Sequence, residues 1–173
     1  LEKAIAHETR LVLCHISTKE EIEMVRAAKC NNPSVTAETS CNYLWFSNED
    51  YDRLGSRLKC NPAVKSPSDR AALREALANG GIDVIGSDHA PHLLSEKEGP
   101  YTKVPSGLPS IQQSLPVLVT IADEEDIPLT RIAAVFSENA SDIYELNTGK
   151  IRKDYNADIV VFDRNKEFTV RNE

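Results

Sequence analysis

The sequence predicts an α/β fold built on a parallel sheet, and three observations point to it. Residues 10–16 make a short, nearly continuous apolar run, as expected of a strand covered on both faces, and 34–39, 57–61 and 82–87 read as further strands. Helix-start patterns stand after the first three, at Ser17-Thr18-Lys19-Glu20, Ser47-Asn48-Glu49-Asp50 and Ser66-Pro67. Polar breakers, Asn31-Asn32-Pro33 and Asn79-Gly80-Gly81, end two of the helices. Repeated βα succession implies helical crossovers between parallel strands, in either a doubly wound sheet or a (β/α)8 barrel.

In chain order, residues 10–16 form the first strand, and Ile22, Met24 and Val25 belong to the helix after it. Residues 34–39 form the second strand, with a short helical segment running through Leu54. The third strand is 57–61. Behind it, Leu73, Ala76 and Leu77 make an i, i+3, i+4 stripe on a helix capped by Ser66. The fourth strand is 82–87, and the long polar loop 91–106 is a candidate lid. Helices follow at 110–122 and around Ile132, Val135 and Phe136, with a further turn at 143–146. The character then changes: 150–152, 158–162 and 168–170 read as short strands of a separate small sheet, giving a division at 1–147 and 148–173.

The charge balance of 20 Lys+Arg against 27 Asp+Glu, net −7, disfavours a nucleic-acid partner. No apolar run approaches the roughly 20 residues of a membrane span, so the expected location is cytoplasmic. The four cysteines show no C-x-x-C spacing and read as free thiols, most of them small hydrophobes. The chain begins at Leu1 rather than Met, which suggests a piece of a longer one.

Chemistry concentrates at the strand ends. In a parallel α/β fold, side chains leaving the C-terminal ends of strands share one mouth. His15 ends the first strand, and Asp88 ends the fourth, just ahead of His89 and His92. Imidazole and carboxylate together suit a hydrolytic metal site that keeps one position for water. A lone histidine such as His15 serves equally well as a packing residue, whereas a carboxylate flanked by imidazoles at an apolar strand end is costly without a task. Asn61, before Pro62, either fixes a turn or binds substrate. His7 reads as solvated surface, and no G-x-S-x-G elbow supports a serine nucleophile.

In order and spacing, His15-Ile16-Ser17-Thr18, Val35-Thr36-Ala37-Glu38, Lys59-Cys60-Asn61-Pro62-Ala63 and Ser87-Asp88-His89-Ala90-Pro91-His92 resemble the C-terminal half of class I dihydroorotases, of the amidohydrolase superfamily. Gly149-Lys150-Ile151 and residues 157–163 are similar to that superfamily's return into a small β-sandwich. The resemblance implies the C-terminal part of a (β/α)8 barrel followed by sandwich strands, and zinc-dependent, reversible cyclisation of N-carbamoyl-L-aspartate to L-dihydroorotate. It implies His15 and Asp88 as ligands of a binuclear zinc centre and Asp88 as the proton carrier. Asn61 and His92 would grip the substrate, with backbone around Pro105, Ser106 and Gly107.

Where the resemblance leads one to expect a metal-binding His, in a run such as P-H-H-L, this chain has Ser40-Cys41-Asn42-Tyr43-Leu44. Asn42 or Tyr43 then stands in for a ligand, and neutral Asn oxygen is a weak one. A complete barrel needs about 250 residues. The implied partners are therefore a missing N-terminal half of the barrel, further copies of the chain, and aspartate carbamoyltransferase if the chain is a noncatalytic subunit. Hydantoin, dihydropyrimidine or allantoin chemistry on the same fold is the other alternative.

Overall fold

The computed structural model describes residues 1–167 and 169, and it has the predicted parallel sheet. After a short helix α1 (Glu2–Ala6), strands β1 (Leu11–Leu13), β2 (Val35–Ser40) and β3 (Val84–Gly86) lie in the order β1-β2-β3. Leu11 pairs with Val35 and Leu13 with Ala37, while Glu38 pairs with Val84 and Ser40 with Gly86. Strand β1 stops at Leu13, ahead of the left-handed backbone at His15, although β2 continues to Ser40.

The crossover from β1 to β2 is α2 (Lys19–Lys29). Its cap is Thr18, one residue past the predicted start: the Thr18 hydroxyl accepts from the Glu21 amide, and the Glu21 carboxylate accepts from the Ser17 and Thr18 amides. Ile22, Val25 and Ala28 face the core, whereas Met24, on the other side of the same turn, is exposed.

From β2 to β3 the chain passes through α3 (Cys41–Trp45), α4 (Tyr51–Leu54), a 3₁₀ turn at Gly55–Leu58, and α5 (Pro67–Asn79). The predicted strand at 57–61 is absent. Leu58 and Cys60 are buried as expected, but the Lys59 carbonyl accepts from the Gly107 amide and the Lys97 ammonium, so this backbone pairs with a loop. Helix α5 has the predicted Ser66 cap, Pro67 at its first position, and Gly80 as a left-handed C-cap. The Asp69 carboxylate accepts from the Ser66 amide and hydroxyl and from the Lys19 amide, tying the starts of α5 and α2 together.

Beyond β3 lie a 3₁₀ turn (Leu94–Lys97), α6 (Ser114–Glu124), and one continuous helix made of α7 (Leu129–Ala133), a π segment (Ala134–Glu138) and α8 (Asn139–Ile143). The π segment packs against β3, and the Asn139 amide donates to the Asp83 carbonyl. The core fills the space between sheet and helices: Val35, Ala37 and Ile85 from the sheet, Leu73 and Leu77 from α5, Leu118 and Ile121 from α6, and Val135 from the π segment. By strand alternation, Val12, Cys14, Thr36, Glu38 and Gly86 occupy the opposite face. There Cys14 is exposed beside Glu38 rather than buried as a small hydrophobe; Cys30 is exposed too, and only Cys41 and Cys60 are buried.

Residues 150–152 and 158–162 are not strands. Among the described residues no strand lies beside them to complete a ladder, and Ile151, Ile159, Val160, Val161 and Phe162 are exposed. Phe168 and Val170 of the third predicted run lie outside the described residues. None of the described helices is long and apolar enough to cross a membrane.

Candidate active site

His15 and Asp88 meet. Strands β1 and β3 flank β2, roughly 10 Å apart at ordinary strand spacing. Yet the His15 Nε2 lies 3.7 Å from the Asp88 Oδ1, with 40% and 22% of the two side chains exposed. The side chains lean toward one another above the end of β2.

Both residues have left-handed backbone, φ +60° at His15 and +47° at Asp88, which a residue with a Cβ adopts only when its neighbours impose it. At His15 the constraint is Ile16, whose amide donates to the Glu38 carbonyl at 2.9 Å and whose carbonyl accepts from the Thr39 hydroxyl at 2.7 Å. At Asp88 it comes from both sides. The Ser87 carbonyl accepts from the Ser110 hydroxyl, and the Ala90 amide donates to the Leu108 carbonyl at 3.1 Å.

The imidazoles after Asp88 diverge from it. His89 Nδ1 accepts from the Ser110 and Ile111 amides, at 3.0 and 3.2 Å, which makes it an anchor for the chain entering α6. His92 Nε2 is 3.1 Å from the Ser106 carbonyl, an acceptor only, so that nitrogen carries the proton; its Nδ1 lies 3.6 Å from Glu96.

Asn61 is exposed, and its side chain has no hydrogen-bond partner among the described residues. The next residue is held from below: the Tyr43 hydroxyl donates to the Pro62 carbonyl at 2.9 Å. Burial first, then the nearby Cys60 thiol and Asp88 carboxylate, push the Tyr43 hydroxyl far above its usual range, which keeps it a donor. Burial also raises the Cys60 thiol, with Asp88 adding to the effect. Asn42 is buried with its Nδ2 unpartnered.

Of the backbone groups expected to line the site, Gly107 N–H donates to the Lys59 carbonyl, and the Pro105 and Gly107 carbonyls accept from Lys97. The Ser106 N–H has no protein partner among the described residues. From Lys97 onward the 91–106 loop is thus tied to residue 59. The sequence reading missed Lys97, Ser110 and Glu38, whose carboxylate lies within 3.0 Å of where a Cβ on Gly86 would stand.

An imidazole nitrogen and a carboxylate oxygen, both partly open to solvent, fit the donor chemistry of a hydrolytic metal centre. No group of three or more His, Cys, Asp and Glu side chains converges among the described residues, so the pair by itself is not a complete metal site. The groove of about 780 Å³ between α6, the helix after it and residues 149–162 includes neither His15 nor Asp88.

The profile of the amidohydrolase family matches residues 3–172. A dihydroorotase of Staphylococcus epidermidis is 38% identical over 162 residues, 93% of this chain and 38% of the relative. One from Clostridioides difficile is 35% identical over 157 residues, 90% of this chain and 37% of the relative. Among solved structures, an L-hydantoinase (dihydropyrimidinase) from Arthrobacter aurescens superposes with a TM-score of 0.83 at 26% identity, over 90% of this chain and 37% of that one. A dihydroorotase of Saccharomyces cerevisiae in complex with 5-fluoroorotic acid gives 0.72 at 23% identity, over 80% and 39%. The chain spans about two fifths of the length of the curated relatives it matches.

Proposed function

The chain belongs to the amidohydrolase family, and on that premise we propose that it is the C-terminal portion of a dihydroorotase, with residues 1–147 completing a (β/α)8 barrel and 148–173 joining a small β-sandwich. The reaction is the reversible cyclisation of N-carbamoyl-L-aspartate to L-dihydroorotate. The observation that carries this reading is the approach of His15 Nε2 to Asp88 Oδ1 from two strands that are not neighbours.

His15 and Asp88 would hold zinc, with the remaining ligands supplied by the rest of the barrel. When bound, zinc polarises the amide carbonyl and lowers the pKa of coordinated water. Asp88 takes the proton of the attacking water during ring opening and delivers it to the departing ring nitrogen; ring closure runs the same transfers backwards. Asn61, with its amide uncommitted, and the Ser106 N–H face the anionic end of the substrate. His92 supports Ser106 and reaches substrate by exchanging one of its present contacts. Tyr43 supports the wall beside Asn61 through its hydrogen bond to the Pro62 carbonyl.

The test is zinc content and carbamoyl-aspartate cyclisation measured on the longest native chain carrying these residues. Metal with turnover supports the reading; metal-free, inactive protein overturns it in favour of a noncatalytic dihydroorotase-like subunit. The fold similarity to a hydantoinase makes hydantoin and dihydrouracil the comparison substrates. Faster opening of either would assign the chain to that chemistry instead.

A further inference from the structure

Between His92 and Leu108 the chain is polar and charged, yet Lys97 within it is only 5% exposed. Its ammonium donates to three backbone carbonyls, Lys59 at 2.9 Å and Pro105 and Gly107 at 3.0 Å each. Three N–H groups meet three acceptors, and no carboxylate pairs with the ammonium among the described residues. A buried charge without a counter-ion is costly, so this cage persists only where the surrounding chain converges to form it.

Lys59 makes the reverse connection. Its carbonyl also accepts from the Gly107 amide at 2.9 Å, while its own ammonium donates to the Tyr101 and Val104 carbonyls at 2.9 and 2.7 Å. The Ser56 hydroxyl closes the arrangement by donating to the Lys97 carbonyl at 2.6 Å. Two lysines thus clasp two segments, each holding the other's backbone. Asn61 lies two residues beyond Lys59, and Ser106 lies between two of the caged carbonyls with His92 attached to it.

We propose that Lys97 is a positioning residue for substrate binding: it fixes the spacing between Asn61 and the Ser106 turn, so that both address the same anionic end of the ligand. The inference rests on the reading of residues 61 and 92–107 as the substrate wall. Because Lys97 reaches no reacting atom, its effect falls on substrate affinity more than on turnover.

The test is Lys97→Met in the longest native chain, assayed for carbamoyl-aspartate cyclisation well below its unfolding temperature. The control is Leu118→Ala, a core truncation on α6. The expected result is a KM raised roughly tenfold or more with a much smaller change in kcat, and no KM change in the control. If Lys97→Met fails to fold, Lys59→Met, which removes the partly exposed half of the clasp, is expected to raise KM in the same sense. Active wild type with unchanged KM in the folded variant, or an equal KM rise in Leu118→Ala, overturns this inference alone. Inactive wild type overturns the functional reading and this inference with it.

Discussion

His15 and Asp88 face one another at 3.7 Å from strands separated by a third, each on a left-handed backbone that its neighbours enforce. Neither residue is part of the core, so replacing either is expected to test the proposed chemistry while sparing the fold. Asp88→Asn keeps the shape and loses the basic oxygen, and is expected to lower turnover about 10²- to 10⁴-fold. His15→Ala is expected to reduce bound zinc per chain. Steady-state cyclisation and elemental analysis on the longest native chain check both, and an Asp88→Asn enzyme with wild-type turnover would remove Asp88 from the mechanism.

Gly107 has φ +137°, and a Cβ there would stand 2.5 Å from the Ala90 carbonyl oxygen. That neighbour is backbone, fixed by the Ala90–Leu108 hydrogen bond, so it cannot move aside cheaply. Gly107→Ala is expected to destabilise the protein by about 1–3 kcal/mol and to weaken substrate binding. Urea denaturation and KM measure the two effects.

Two of the buried acids, Cys41 and Tyr43, shape separable parts of the alkaline limb. Burial pushes the Cys41 thiol from 9.0 up to about 11 and raises the Tyr43 hydroxyl beyond its usual range. Each folded-state pKa lies above its unfolded value, so the Cys41 contribution is complete below pH 9 and is lost as pH rises through about 11, whereas the Tyr43 contribution is complete below pH 10 and falls only above it. Cys41→Ala is expected to flatten the stability profile between pH 9 and 11, and Tyr43→Phe to flatten it only from pH 10 upward. Tyr43→Phe also removes the hydrogen bond to Pro62, a loss of about 1 kcal/mol at neutral pH. Denaturant titrations across pH read both.

Asp69 gives the acid limb. Burial alone would raise its carboxyl, but hydrogen bonds from the Ser66 hydroxyl and the Lys19 and Ser66 amides outweigh it and hold the group below 3.8. Its stabilisation is therefore present above pH 3.8 and is lost as pH falls through the lower folded-state value. Asp69→Ala is expected to cost about 1–2 kcal/mol at neutral pH and to weaken the starts of α2 and α5 together, a coupling that hydrogen exchange in both first turns would reveal.

The elements legible in the sequence were those whose signals are local. The Ser66 cap, Pro67 and the Leu73, Ala76, Leu77 stripe specify α5 without outside help, and the 34–39 segment, read as a strand, became the central one. Residues 57–61 misled because burial of alternate side chains is not unique to strands; the Lys59 backbone is satisfied by a loop 38 residues away at Lys97. The candidate residues His15 and Asp88 were visible at strand ends, but their convergence depends on how the side chains lean across β2. Lys97 was invisible: within Ser95-Glu96-Lys97-Glu98-Gly99 it looks like any solvated lysine.

Every acceptor around Lys97 is a main-chain oxygen. The cage therefore reads chain path rather than side-chain identity, and positions such as Pro105 are free to drift over evolutionary time while the lysine is not. Variation among natural sequences of this wall is expected at Pro105, while Lys97, its counterpart Lys59 and the Cβ-intolerant Gly107 stay fixed.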